Sequence, residues 1–111
     1  FGPHLILLSA GYDAHMEDPL GGMQLSTAGY ATMTARVQQL ADTCCEGRLA
    51  AVTEGGYDLT VLEECLSLTV KQFARGTPVF GSEIVGDTER ASRVIPAVQR
   101  ALEPQWPMVF G

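Results

Sequence analysis

HLILLSAGYDAHMEDPLGG, residues 4–22, joins an unbroken apolar run to a loop crowded with acidic side chains and glycine. The run HLILLSA, residues 4–10, is short and closed by Gly11, which fits a strand buried on both faces as in a parallel sheet. Asp13, His15, Glu17 and Asp18 follow directly, where such a strand would end.

Working outward, Ser26 or Thr27 can cap a helix in which Tyr30, Met33, Val37, Leu40, Ala41 and Cys44 recur at helical spacing up to Gly47. That helix has about five turns. RLAAVT, residues 48–53, reads as a second strand ended by Gly55 and Gly56. Asp58 or Thr60 then starts another helix, with Thr60-x-x-Glu63 as a capping box. Leu62, Cys65, Leu66, Thr69, Val70 and Phe73 form its expected inner face, and Gly76 its stop.

Residues 76–87 read as a glycine-punctuated loop, and a last helix is expected from Thr88 to Leu102. Its inner face would carry Ala91, Val94, Ile95, Val98 and Leu102, and Pro96 should bend or break it. Trp106 is expected to pack down the tail. Strand, helix, strand, helix with short connections is a βαβα unit with parallel strands.

The chain has 111 residues, is 46% hydrophobic and carries a net charge of −6. Its seven Lys and Arg are scattered, so no basic footprint for nucleic acid is expected. No apolar run reaches the roughly 18 residues that would predict a membrane span. An odd set of cysteines, Cys44, Cys45 and Cys65, points to reduced core thiols and a cytoplasmic protein. Two parallel strands need neighbours on their edges, and the chain opens Phe1-Gly2-Pro3 just before the first. A piece of a larger domain is therefore expected.

In open α/β sheets, ligand sites form beyond the carboxyl ends of the strands. Gly11-Tyr12-Asp13-Ala14-His15 and Glu54-Gly55-Gly56-Tyr57-Asp58 occupy those positions, so Asp13 and Tyr57 are expected to face one pocket. A carboxylate at a strand end can ligate a metal, act as a base or cap a turn. Tyr57 can pack with its tip in water or donate to a developing oxyanion. Gly55 and Gly56 either cradle an anion or let the backbone turn sharply; no Walker or G-x-G-x-x-G spacing accompanies them. His15, Glu17 and Asp18 read mainly as solvated loop residues, and Leu20 as a pocket wall after the Pro19 turn.

LILLSAGYDAHMEDPLGG, then a helix carrying GYATMT, then GRLAAVTEGGYDL resemble, in that order, the C-terminal part of the histone deacetylase domain. The resemblance spans residues 3–75 and is strongest to class II and bacterial members. It implies an α/β fold, the C-terminal part of an arginase/deacetylase-like three-layer parallel-sheet architecture. Residues 1–76 would be the βαβα portion with the metal and substrate loops, and residues 77–111 the closing loop and helix of the same domain. It further implies zinc (Zn2+) as cofactor with Asp13 as one ligand, and Tyr57 as the catalytic residue that polarises the amide carbonyl. Leu20 would line the acyl-lysine tunnel, with Gly55 and Gly56 under the substrate.

The family's Asp-x-His ligand pair and adjacent-histidine pair would lie upstream, so His15 is not a ligand in that pattern. The implied activity is zinc-dependent hydrolysis of acetyl-lysine or a related acetylated amine. Tyr57, where some class II members carry histidine, implies an efficient deacetylase. This chain alone is expected to be inactive. The alternatives are a non-catalytic remnant or interaction module keeping half of the fold, and a small anion-binding domain resting on the Gly55-Gly56 turn.

Overall fold

A computed structural model describes residues 1–75 and 88–105. The element order is β1 (Ile6–Ala10), α1 (Thr27–Cys45), β2 (Leu49–Thr53), α2 (Leu59–Arg75) and α3 (Thr88–Leu102). β1 and β2 pair in parallel, with Ile6 opposite Leu49 and Ala10 opposite Thr53. The βαβα order expected from the sequence is thus present. The 76–87 loop and Trp106 lie outside the described residues.

The ladder continues past both strand ends: Glu54 N–H donates to the Ala10 carbonyl at 3.0 Å and Tyr12 N–H to that of Gly55 at 2.8 Å. The loops leaving β1 and β2 are consequently zipped side by side. Sequence spacing alone suggests this neighbourhood, and the continued ladder fixes it.

α1 starts at Ser26, whose backbone is extended and whose Oγ accepts the Gly29 N–H at 3.1 Å. This satisfies one of the amides that a helix leaves unpaired in its first turn. Leu25, just before the cap, packs on the cluster that holds Tyr30, in the manner of a hydrophobic staple. The far end unwinds through two left-handed residues, Glu46 and Gly47, at φ 57° and 76°. Thr27, the other candidate cap, is the first helical residue.

α2 is capped by Asp58, whose Oδ1 accepts the Val61 N–H at 2.9 Å. The Thr60-x-x-Glu63 box is therefore not used: Thr60 already lies inside the helix. α1 and α2 pack against each other, and Tyr12, Tyr30, Val61 and Cys65 form the core between them and the end of β1. The Tyr12 and Tyr30 rings meet at 5.3 Å with a 46° tilt, a separation suited to an inclined aromatic pair.

The inner faces differ from the expected ones. On α1, Thr34, Ala35 and Gln38 are buried, while Met33, Leu40 and Cys44 are exposed. On α2, Val61 and Gln72 join Cys65 and Thr69 inside, and Val70 is outside. The buried glutamines are compatible because Gln72 Nε2 donates to Gln38 Oε1 at 2.8 Å, which joins the two amides across α1 and α2. α3 runs through Pro96, with Val94, Ile95 and Val98 about half exposed rather than turned inward.

Nor is β1 buried on both faces. Ile6, Leu8 and Ala10 are partly covered, whereas Leu7 is 66% exposed. In register, Leu7 shares the open face with Ala50, and Ser9 shares it with Val52. Among the described residues, the partly covered positions of the sheet, Ile6, Leu8, Ala10 and Leu49, share one face.

Candidate active-site loops

Asp13 is half-buried, whereas Leu20 and Tyr57 are exposed. It lies at the carboxyl end of β1 with its carboxylate between two glycines. A Cβ on Gly55 would stand 2.5 Å from Asp13 Oδ2, and one on Gly11 would stand 3.0 Å from Oδ1. Any side chain at 55 would collide with the carboxylate. Behind it, Gly21 approaches the Asp13 main chain so closely that a Cβ would lie 1.5 Å from the carbonyl oxygen. Three glycines from three points of the sequence thus shape the space that Asp13 occupies.

Gly56 has φ 139°, a backbone conformation that side-chain-bearing residues rarely adopt. A Cβ there would also meet Tyr12 Cβ at 3.2 Å. The glycine pair therefore makes the sharp turn that sends the chain from β2 into α2. Tyr57 sits just before the α2 cap, and its side chain is 56% exposed. It is not a core tyrosine: Tyr12 and Tyr30 fill that role.

Asp18 connects the two loops. Its Oδ1 accepts the N–H groups of Leu20 and Gly21 at 2.8 and 3.0 Å, closing a local turn. Its Oδ2 accepts the Tyr57 N–H at 2.8 Å, 39 residues away in sequence. Burial works against the charged form, but hydrogen bonds from the backbone of Tyr57, Leu20, Gly21 and Asp58 outweigh it and lower the carboxyl below its ordinary range. Leu20 itself extends outward, 71% exposed.

His15 is also structural. Its Nδ1 accepts the Glu17 N–H at 3.2 Å, which leaves Nε2 carrying the proton toward Thr27 Oγ1 at 3.1 Å. The ring stacks on Tyr30 at 6.4 Å. Tyr30 Oη accepts the Ala14 N–H at 3.1 Å, and burial pushes its hydroxyl pKa up. Tyr12 Oη donates to Thr69 Oγ1 at 3.0 Å, which donates on to the Cys65 carbonyl at 2.9 Å. Burial likewise raises the Cys65 thiol, keeping it protonated.

His15 and Asp18 therefore depart from the expected solvated loop, because each satisfies backbone or side-chain partners only a fold can bring together. Glu17 is exposed as expected. The Asp18 turn is visible in the Asp-Pro-Leu-Gly spacing; its bond to Tyr57 has no local signal.

The donor set limits what this chain can do with a metal. Among the described residues, no group of three or more His, Cys, Asp or Glu is placed to hold an ion. The glycine cradle leaves the Asp13 carboxylate room to serve as one ligand, but the described residues do not close a site.

Parallel strands with these loops at their carboxyl ends define part of an α/β fold whose candidate site lies at the strand ends. The histone deacetylase domain family matches residues 1–73, and the chain belongs to that family. Histone deacetylase 18 of Arabidopsis thaliana is 36% identical over 107 residues, 96% of this chain and 15% of that protein. The polyamine deacetylase HDAC10 of Homo sapiens is 35% identical over 106 residues, again 96% of this chain and 15% of that protein. The crystal structure of the HDA15 HD domain superposes with a TM-score of 0.71 at 26% identity, covering 96% of this chain and 27% of that one. These alignments extend past Arg75, so the likeness reaches beyond the segment in which the sequence motifs lie. The chain spans 15% of each of these two curated relatives.

Proposed function

We propose that this chain is the C-terminal segment of a zinc-dependent deacetylase that hydrolyses the acetyl amide of acetyl-lysine or a related acetylated amine. The observation that carries the reading is the Asp13 carboxylate, seated at a strand end between Gly11 and Gly55, the latter too close to it to carry a side chain, in a chain of the histone deacetylase family. Zinc, when bound, supplies Lewis acidity toward the acetyl carbonyl and the attacking water.

Asp13 offers one carboxylate ligand, and the remaining ligands come from elsewhere in the whole protein. The Tyr57 hydroxyl donates a hydrogen bond to the carbonyl oxygen as negative charge develops on it. Leu20 walls the passage for the acyl-amine side chain, with Gly55 and Gly56 forming the floor. Three free thiols, Cys44, Cys45 and Cys65, agree with a reducing compartment, and we place the protein in the cytoplasm.

Acetate release from an acetyl-lysine peptide and from an acetylpolyamine, measured on the full-length protein with and without a zinc chelator, tests the reading. Chelator-sensitive release from either substrate is expected and identifies the class. Neither zinc binding nor release would leave a non-catalytic module that retains part of the fold.

A further inference from the structure

Asp18 has no part in the reaction as written, yet both outward-facing site residues hang from it. We propose that Asp18 is a positioning residue that holds Tyr57 and Leu20 in one frame. The proposal rests on the deacetylase reading and adds to it a determinant of how the oxyanion donor is aimed.

The side chains of Tyr57 and Leu20 are more than half exposed, so packing among the described residues does little to fix them. Their backbones, by contrast, share the carboxylate of Asp18, a residue only 7% exposed. Asp18 is itself anchored, because its N–H donates to the His15 carbonyl at 3.0 Å, and His15 is tied to Thr27 at the start of α1. The chain of contacts therefore runs from α1 through His15 and Asp18 to the residue that precedes the α2 cap.

A hydrogen-bond donor to an oxyanion must be held within about 0.5 Å of its productive position. A carboxylate can do this for two loops at once because both oxygens accept. An amide cannot: one of its two heads donates and would face a backbone N–H. Asparagine at 18 would keep one loop and release or repel the other, while glutamate would place its carboxylate one methylene too far for both.

The test uses the full-length protein and four forms: wild type, Asp18→Asn, Tyr57→Phe and the double variant. Acetate release gives kcat and KM, metal analysis gives zinc content, and hydrogen exchange reports the Tyr57 amide. Asp18→Asn is expected to lower kcat by about 10- to 100-fold with zinc content unchanged. In the Tyr57→Phe background the same substitution should cost no more than about threefold, because its effect passes through Tyr57. An undiminished loss in that background overturns the proposal.

If the wild type releases no acetate, the deacetylase reading fails and the exchange measurement decides Asp18 separately. At least tenfold faster Tyr57 exchange in Asp18→Asn supports the tie, and unchanged exchange overturns it. Should that variant fail to fold, the wild type decides: Tyr57 exchanging at the rate of an unstructured peptide overturns the proposal, and strong protection supports it.

Discussion

Gly55 faces the Asp13 carboxylate at a separation no side chain can share, with a Cβ at 55 placed 2.5 Å from Oδ2 and 2.6 Å from Cγ. The glycine is needed for what it lacks. Gly55→Ala should displace the carboxylate and weaken zinc affinity of the full-length protein by roughly 10- to 100-fold, the range seen when groups supporting a metal ligand are altered. Metal titration against wild type checks this, with circular dichroism showing that the fold persists.

Gly21 makes a harsher prediction, because its obstacle is main chain. A Cβ would lie 1.5 Å from the Asp13 carbonyl oxygen, so the two loops must separate to admit it. Gly21→Ala should cost about 3 kcal/mol of stability, at the upper end for overpacked sites, in denaturant unfolding of the full-length protein. Gly22→Ala next door meets no atom within 4 Å but sits at φ 61°, so it carries only the smaller backbone penalty.

The buried amide pair predicts an asymmetry between single and double variants. Gln72→Ala removes the donor to Gln38 Oε1 and should cost about 1 to 3 kcal/mol, whereas replacing both Gln38 and Gln72 by leucine should cost less than that single change. Equal costs for the single and double changes would mean that the hydrogen bond does not hold α1 to α2.

Acid should loosen the loops through Asp18. Its folded pKa is depressed, so its contribution to stability is present above the ordinary carboxylate value and is lost as pH falls through the folded value. Thermal melts followed downward from about pH 6 should show wild type losing stability more steeply than Asp18→Asn. Parallel curves would contradict this.

How much of this was legible beforehand differs from element to element. The strands and helices follow from apolar runs and glycine stops because those signals are local: α3 was expected over the residues it occupies, and β2 begins one residue inside its apolar run. Helix faces were harder. Periodicity assigns large apolar side chains to the core, but Met33 and Leu40 of α1 are exposed while Thr34 and Gln38 are inside. The partner that decides burial here is α2, whose Gln72 makes a polar interior position acceptable.

The site divides in the same way. Asp13, Leu20, Gly55, Gly56 and Tyr57 stand out through motif resemblance, and the structure gives the glycines a steric reason. In the sequence, Asp18 and His15 look like solvated loop, because a polar residue after a strand ordinarily is. Their burial depends on Tyr57 and Thr27, partners that no nearby pattern announces.

The most direct test of the central claim separates the two roles in one experiment. Zinc content and acetate release are measured together on full-length wild type, Asp13→Ala and Tyr57→Phe. The account predicts that Asp13→Ala loses both zinc and activity, while Tyr57→Phe keeps its zinc and loses about 10²- to 10³-fold in kcat. Full zinc binding by Asp13→Ala, or undiminished turnover by Tyr57→Phe, would contradict it.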